Sequence, residues 1–398
     1  MTNSRKVVFL TGDLALGGGA MFVLNVCNGL RNSDQWQGIA GVFTQLGEVG
    51  SQMLEQEHLI LGPFPKALIH EEYIESMYQA CRKLQPRAVV ANLGGETFDF
   101  LRFVPEGVLR VGIIHSDEEY VYQLVEQYLP WLDVVVGVSK ENCRNMAKRL
   151  GGKKIPVVQV ACGVPMPPCP PTRTPASGLR VLYLGRVAEL QKRAGLLQRV
   201  IRKTLNGDPS ILWTIAGDGP DLAGMRQVFA DSPARVNFLG SLPYADVPAL
   251  MADHDAYFLC SDYEGLPLSM LEAMGGGLVP VVSDLPSGIS EVVHEGNGIR
   301  VPMHDEDAYV KALFHLANSR EVVRILGRQA AEDVRRNYSI EAMANRWNNV
   351  LDKHVGQPDI EWPERCVADV PPTLQHRWKF HPRLRWFRKL TKPLRSRG

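Results

Sequence analysis

Short apolar runs rich in Val and Ile recur along the whole chain, and longer amphipathic segments separate most of them. The runs are unbroken rather than alternating, which is typical of strands covered on both faces in a parallel sheet. Strands that alternate with helices indicate an α/β fold. The predicted strands are 6–11, 38–44, 88–93, 110–115, 134–139 and 156–161 in the first half, and 179–185, 212–217, 236–239, 256–260, 279–283 and 298–301 in the second.

A proline-rich segment, residues 165–178, divides the chain in two. Its prolines exclude a helix or a central strand, so we predict a stiff interdomain linker. A chain of 398 residues with 45% hydrophobic content can bury more than one core. We therefore predict two Rossmann-like, doubly wound parallel-sheet domains that face a cleft. The first spans 1–164 and the second 179–339, followed by a helix within 340–356 and a tail at 357–398.

Ligands of open parallel sheets bind beyond the carboxyl ends of the strands. Glu264 follows one such strand and Glu272 lies eight residues later, with a Gly-Leu-Pro entry into a short helix between them. Pro267 suits the first helical position, which needs no N–H, and Gly265 allows close approach to a ligand. The free N–H groups of the helix start favour an anionic or polyhydroxyl ligand.

Other polar residues follow strands in the same way. Arg186 ends a strand and Lys192 is predicted to open the next helix, so both could bind one diphosphate; a surface Arg–Glu pair with a solvated lysine is the alternative. Gly18 and Gly19 form a strand-to-helix turn that could hold a pyrophosphate, or a plain tight turn. His115 is a candidate for hydrogen bonding or proton transfer, or a satisfied loop histidine.

Two further residues near these loops have structural interpretations. Asp218, in a Gly-Asp-Gly-Pro turn, is expected to stabilise the turn itself. Glu291, in the run Ser287–Val293, is expected to cap its own helix rather than touch a ligand.

Composition excludes several classes of protein. A formal charge of +1 gives no argument for nucleic-acid binding, and no apolar stretch is as long as a spanning helix. The first six residues run straight into a strand, without a signal-peptide core. The seven cysteines are scattered without metal-ligand spacing and suit reduced thiols in the cytoplasm. We expect no metal and no cofactor.

The tail differs from the rest of the chain. After Asp369 there is no acidic residue, whereas nine basic residues follow, interleaved with Trp and Phe. This composition is typical of docking on an anionic lipid surface, and each basic side chain near such a surface contributes about 1 kcal/mol. We predict membrane contact through 374–398; a tail folded onto the protein and a partly disordered, solvated tail are the alternatives.

These residues together resemble the retaining GT-B glycosyltransferases of family 4 (glycosyltransferase group 1), over most of residues 5–355. The resemblance depends on the Glu-x7-Glu pair, the Gly-Arg…Gln-Lys run at Gly185–Lys192 and the Gly217–Pro220 turn. The segments Val236–Gly240, Gly277–Val282 and Cys162–Val164, with the Gly18-Gly19 turn, add to it. One departure is the single glycine in Ser287–Glu291, where the family commonly has two.

The resemblance implies an acceptor-binding first domain and a second domain that binds a nucleotide-activated sugar. Arg186 and Lys192 would bind the diphosphate, and Glu272 the ribose hydroxyls. Glu264, with backbone N–H groups near Gly265, Leu266 and Pro267, would bind the sugar ring. His115 would face the sugar from the first domain, and the helix in 340–356 would cross back to that domain. Members of the family need no metal, and same-face attack, assisted by the leaving phosphate, is the usual explanation of retention.

The leading hypothesis is a cytoplasmic enzyme, or one peripheral at the inner face of the membrane. It would move a sugar from a UDP- or GDP-linked donor to a glycan or lipid-linked acceptor in cell-surface polysaccharide or glycolipid synthesis. A sugar-nucleotide epimerase of similar fold is one rival, although the additional acids and histidine that it needs are not assignable. A non-catalytic glycan- or nucleotide-binding subunit is the other.

Overall fold

The computed structural model describes residues 4–15, 17–31, 33–64, 70–167, 178–356 and 360–364. Most of the linker at 165–178, and the tail from 365 onward, lie outside these ranges. The first half forms a seven-stranded parallel sheet with the order β3-β2-β1-β4-β5-β6-β7. Its strands are β1 (Arg5–Asp13), β2 (Trp36–Gln45), β3 (Ile60–Leu61), β4 (Ala88–Leu93), β5 (Leu109–Ile114), β6 (Val134–Gly137) and β7 (Val157–Gln159). Its helices are α1 (Gly18–Arg31), α2 (Gly47–Glu55), α3 (His70–Leu84), α4 (Gly95–Phe100), α5 (Glu119–Tyr128) and α6 (Lys140–Arg149).

The second half forms a six-stranded parallel sheet with the order β10-β9-β8-β11-β12-β13. Its strands are β8 (Arg180–Leu184), β9 (Leu212–Ala216), β10 (Val236–Gly240), β11 (Ala256–Leu259), β12 (Val279–Ser283) and β13 (Ile299–Val301). Its helices are α7 (Glu189–Lys192), α8 (Ala194–Gly207), α9 (Leu222–Val228), α10 (Val247–Ala252), α11 (Leu268–Gly275), α12 (Gly288–Val292), α13 (Glu306–Asn318) and α14 (Arg320–Asn337), and α15 (Ile340–His354) follows. Among the helices of the described ranges, none is both long and apolar enough to cross a membrane.

The predicted fold class of two doubly wound parallel sheets is confirmed. Twelve strands occur where the apolar runs predict them, with ends that differ by at most two residues. The strand that the sequence did not predict is β3, which has only two residues and therefore no pattern of its own. The middle residues of the central strands, such as 7–10 of β1 and 88–91 of β4, are buried, as their unbroken apolar sequences require.

Strand order reverses at the same place in both sheets. In the first sheet β1 lies beside β4, and in the second β8 lies beside β11, so the chain winds outward in both directions from these pairs. Such a reversal opens a crevice at the carboxyl ends of the strands. The loops after β1 and β11 carry the Gly-rich turn and Glu264, so both of these predicted site elements lie at a crevice.

The last described helix, α15, packs against the first domain. Trp347 of α15 is fully buried, and its ring meets Phe9 edge-on with a centroid distance of 5.1 Å. The chain entering α15 also pairs with the end of the first half, because Val164 donates to the Tyr338 carbonyl at 2.9 Å and Ile340 to that of Val164 at 3.2 Å. These contacts join the C-terminal helix to the first sheet.

Candidate functional site

A cleft of about 700 Å³ lies between the carboxyl edges of the two sheets. Its first-domain wall comes from the Gly17–Gly19 turn, Met21, His115 and Cys162, and the second domain supplies the rest. Nine of the ten predicted site residues line this cleft: Gly18, Gly19, His115, Arg186, Lys192, Glu264, Leu266, Pro267 and Glu272. Residues far apart in sequence thus converge on one cavity, as expected where strands of two parallel sheets end.

The N-terminus of α11 points at the cleft, but its start differs from the prediction. Pro267 is the residue before the helix, with an extended ψ of 117°, and Leu268 is the first helical residue. The first intrahelical hydrogen bond runs from Leu271 N–H to the Pro267 carbonyl, at 3.2 Å. The N–H groups of 268–270 therefore precede the helical ladder and are suited to an anion.

Glu272 is the fifth residue of α11 and lies little more than one turn into the helix. Its Oε1 accepts a hydrogen bond of 2.8 Å from the phenol of Tyr244. Burial raises the pKa of the Glu272 carboxyl to about 7, although the bond from Tyr244 lowers it. The carboxylate therefore titrates near neutral pH at the floor of the cleft.

Lys192 and Glu264 form an ion pair in the cleft, with 2.5 Å between Nζ and Oε1. Lys192 is the last residue of α7, and the prediction that it opens the next helix was wrong. Arg193 has a left-handed backbone, with φ of 52°, and separates α7 from α8. This turn places the Lys192 side chain against the loop that carries Glu264. The ammonium and the carboxylate can therefore form a pair.

Arg186 extends into the cleft beside this pair. Its Nη2 donates to Gln191 Oε1 at 3.2 Å, and the Gln191 side chain donates in turn to the Tyr263 carbonyl at 3.0 Å. The alternative pairing of Arg186 with a glutamate on the surface is not what the structure has. The exposed guanidinium keeps donors available for an anionic ligand.

On the first-domain side, the Gly-rich turn forms the start of α1. Gly18 and Gly19 are its first two helical residues, and both line the cleft. A side chain at Gly19 would collide with Leu93, whereas one at Gly18 would meet open space. The helix N-terminus therefore reaches the cavity with no side chain in front of it.

His115 follows β5 and is oriented by Asn92 at the end of β4. The amide of Asn92 donates to the Gly19 carbonyl at 3.4 Å, so its Oδ1 faces His115 Nε2, with which it is hydrogen-bonded. Nε2 must then carry the proton, which leaves Nδ1 as an acceptor. Burial lowers the pKa of His115 to about 4, so the imidazole is neutral at pH 7. Phe22 packs edge-on against the ring at 4.8 Å.

The two domains touch at the loop that carries Glu264. A Cβ on Gly265 would lie 1.9 Å from the His115 carbonyl oxygen, so only glycine permits this approach. The Gly265 carbonyl accepts a 2.7 Å hydrogen bond from Gly288 N–H at the start of α12. Gly265 is thus an interdomain contact as well as part of the predicted binding loop.

Glu291 of α12 spans the domain boundary, and the expectation that it caps its own helix was wrong. Ser287 is the N-cap of α12. Glu291 instead accepts a bond of 2.5 Å from Lys140 N–H, at the start of α6, and one of 2.8 Å from the Gln159 side chain. It is the fourth residue of α12, in its first turn, and its side chain bonds to the first domain rather than to its own helix. Asp218, in contrast, bonds within its own turn, to Gly219 N–H at 2.8 Å.

Three residues of the site were not predicted: Tyr244 and Gln191, which line the cleft, and Asn92, which is hydrogen-bonded to His115. Asn92 is the penultimate residue of β4, and its place near a strand end is a signal that could have identified it; Gln191 lies inside the Gly185–Lys192 run. Nothing in the sequence around Tyr244 distinguishes it. Within the part of the chain that the structure describes, no three His, Cys, Asp or Glu side chains are grouped so as to hold a metal ion.

Comparison with known proteins adds to this geometry. The fold resembles that of Staphylococcus aureus TarM, from a crystal structure of a mutant with Fondaparinux, α-GlcNAc-glycerol and UDP, with a TM-score of 0.70 and 13% identity over 87% of this chain and 100% of that one. It also resembles Anabaena HepE in complex with UDP and glucose, with a TM-score of 0.70 and 15% identity over 87% of this chain and 99% of that one. At these identities the similarity defines the fold class alone, which is that of GT-B glycosyltransferases.

The sequence match is more specific within the second domain. Residues 178–319 match the family model described as glycosyl transferases group 1. The chain is 32% identical over 189 residues to the O-antigen biosynthesis glycosyltransferase WbnH of Escherichia coli, a match that covers 47% of this chain and 52% of WbnH. The chain thus spans about half the length of that relative. These matches confirm the resemblance to group 1 glycosyltransferases within the second domain.

Proposed function

We propose that the protein transfers a sugar from a nucleoside-diphosphate sugar to a glycan or lipid-linked acceptor. The observation that carries the proposal is the convergence of two cations, two carboxylates and a helix N-terminus on one cleft. Such a set can bind the diphosphate, ribose and sugar of one donor. The match of residues 178–319 to group 1 glycosyltransferases supports the same reading.

The donor would lie across the second domain. Arg186 and Lys192 would bind the diphosphate and stabilise the charge that develops as it leaves. Glu272 would accept hydrogen bonds from the ribose. Glu264, held by Lys192, would accept from sugar hydroxyls, while N–H groups after Gly265 donate to the ligand. The Lys192–Glu264 pair would thus connect the diphosphate and sugar subsites.

We further propose a retaining reaction in which the acceptor hydroxyl attacks from the face that the diphosphate leaves. The leaving phosphate would take the acceptor proton, so the protein would supply no nucleophile. His115 is neutral at pH 7 because burial lowers its pKa to about 4. It would therefore act as a hydrogen-bonding group toward the sugar rather than as a charged one.

The donor base and the pathway are proposed from the comparisons. TarM and HepE are both recorded with UDP, which favours a UDP-sugar, with a GDP-sugar as the alternative. WbnH is named for O-antigen biosynthesis, which favours an acceptor in cell-surface polysaccharide or glycolipid synthesis. We propose a cytoplasmic location, at the inner face of the membrane.

A donor panel tests the transferase activity. The full-length protein is incubated with UDP- and GDP-sugars, with and without glycan or lipid-linked acceptors, and nucleotide release is measured. We expect slow release that one acceptor accelerates, and a loss of about 100-fold or more in Glu264→Ala. Glu332→Ala, a change at an exposed position of α14, is the matched control. Conversion of the sugar without release would indicate an epimerase, and binding without turnover a binding subunit.

The tail gives the proposal its membrane component. Residues 374–398 contain nine Lys and Arg and no acid, so they should bind anionic vesicles. Deletion after Thr373 should abolish sedimentation with phosphatidylserine vesicles and leave turnover of a soluble acceptor intact. Phosphatidylcholine vesicles are the control. Loss of folding on deletion would instead mean that the tail packs on the domains.

A further inference from the structure

Tyr244 connects three parts of the molecule. It begins the 3₁₀ turn Tyr244–Asp246 that leads into α10. Its phenol donates to Glu272 Oε1 at 2.8 Å, and its backbone N–H donates to Glu48 Oε1 at 2.9 Å. Glu48 lies in the first turn of α2, in the first domain. One residue thus links the carboxylate at the cleft floor to the opposite side of the cleft.

The phenol of Tyr244 restricts the orientation of the Glu272 carboxylate, and this orientation matters for ligand binding. A carboxylate has about four acceptor positions, and the Tyr244 bond occupies one of them on Oε1. It holds the side chain in one orientation and leaves Oε2 for donors from the cleft. A hydrogen bond to a charged group contributes more than a neutral one. Since the site lies in a partly buried cleft, a wrongly oriented carboxylate would cost affinity directly.

The backbone bond adds the first domain to this arrangement. Pro243 has no N–H, and Tyr244 provides the first donor of the turn, so its N–H needs an acceptor from outside. Glu48 supplies it from an exposed side chain that belongs to the other domain. When the cleft opens, this bond must break, whereas the Tyr244–Glu272 bond lies within the second domain and can persist.

We propose that Tyr244 is a positioning residue for the donor ribose, whose phenol fixes Glu272 while Glu48 holds its turn in the closed cleft. The inference depends on the proposed donor site at Glu272. Tyr244 itself need not touch the donor; it acts through the carboxylate. The consequence is that closure of the first domain reinforces the grip of the second on the nucleotide.

Calorimetry with UDP and GDP as probes tests this on the full-length protein. We expect Tyr244→Phe to raise the Kd of the nucleotide that binds by about tenfold. Glu272→Gln should weaken binding at least as much, and the double variant should be little worse than Glu272→Gln alone, because both changes remove one coupled unit. In steady state the donor KM should rise while kcat changes by about twofold or less.

Tyr309→Phe is the matched control, since it removes a 2.7 Å contact with Ser283 within the second domain and should leave Kd unchanged. Glu48→Ala should raise Kd by about threefold in the presence of Tyr244. Unchanged binding by Tyr244→Phe, in a protein whose wild type binds UDP or GDP, overturns the positioning role alone. Unchanged nucleotide binding by Glu48→Ala overturns the proposed contribution of the first domain. A wild type that binds neither nucleotide overturns the proposed function itself.

Discussion

The Nζ of Lys192 and the Oε1 of Glu264 lie 2.5 Å apart, and the two side chains are only 14% and 10% exposed. Removing one partner of such a pair leaves the other charge poorly solvated. We expect Lys192→Met and Glu264→Gln each to lower the free energy of unfolding by about 2 kcal/mol, measured by urea denaturation. Turnover should fall with stability in both variants.

The double variant Lys192→Met/Glu264→Gln separates the two effects. It removes both charges, so no unpaired charge remains, and the free energy of unfolding should return most of the way to the wild-type value. Turnover should stay lost, because the diphosphate and sugar subsites both lack their charged group. A double variant as unstable as the sum of the single variants would mean that the two residues do not act as a pair.

A second prediction concerns the proton on His115. Asn92 holds Nε2–H, so Asn92→Ala should free the ring and lower kcat by about tenfold. Asn92→Asp should place a carboxylate beside the imidazole, which favours the charged form and raises the pKa of His115. The acidic limb of the pH–kcat profile should then move upward from near pH 4 toward neutrality.

Asn145→Ala is a suitable control for both variants of Asn92. Asn145 also lies in the first domain, where its amide donates to Asp117 at 3.1 Å, but it does not line the large cleft. It should change neither kcat nor the pH profile. A profile that is identical in wild type and Asn92→Asp would show that His115 does not titrate with the activity.

Much of the fold was predictable because its signals are local. The apolar runs identify twelve strands, since a strand buried on both faces needs an unbroken apolar sequence wherever it lies. The position of the Glu264–Glu272 segment at the cleft was equally predictable, because its strand, loop and helix start are contiguous in sequence. The predicted ends of the helices near the site were less accurate. Arg193 breaks α7 from α8 with a left-handed backbone, and no glycine at that position signalled it.

The site contacts were not predictable, because they join residues that are distant in sequence. The pair of Lys192 and Glu264 spans 72 positions, and the bond from Lys140 to Glu291 spans 151. Neither residue type nor periodicity predicts which loops are in contact in the folded protein. The bond from Tyr244 to Glu272 likewise depends on how the turn that begins at Tyr244 packs near α11, which is a tertiary property.

A third prediction concerns the pH dependence of nucleotide binding. Burial raises the pKa of Glu272 to about 7, so its ionised fraction falls as the pH drops below that value. Ribose hydroxyls donate more strongly to the ionised acceptor than to the protonated one, and UDP affinity should therefore weaken by up to about tenfold per pH unit below pH 7. Calorimetry between pH 6 and 8.5 measures this. Glu272→Gln, titrated in parallel, should lose that component and retain only the titration of UDP itself.

Stability should change with pH in the opposite sense for the same group. A carboxyl with a raised pKa binds more protons in the folded than in the unfolded state between about pH 4.5 and 7. Its contribution to stability is therefore complete below pH 4.5 and is lost as the pH rises through 7. Urea midpoints of wild type and Glu272→Gln should converge toward low pH and diverge toward pH 8, with the wild type less stable there. Parallel curves would contradict the assignment of this pKa.

The last prediction concerns the bridge between the domains at Glu291. Both of its carboxylate oxygens accept from the first domain, at Lys140 N–H and at the Gln159 side chain. Glu291→Ala removes these bonds and the negative charge at the N-terminus of α6, so the closed cleft should lose about 1 kcal/mol relative to an open one. Small-angle scattering should then give a larger radius of gyration. Hydrolysis of the donor should rise relative to transfer, because an open cleft admits water.

Glu295→Ala, an exposed change three residues after α12, is the control and should alter neither the radius of gyration nor the ratio of hydrolysis to transfer. Equal scattering by the wild type and both variants would show that Glu291 does not hold the domains together.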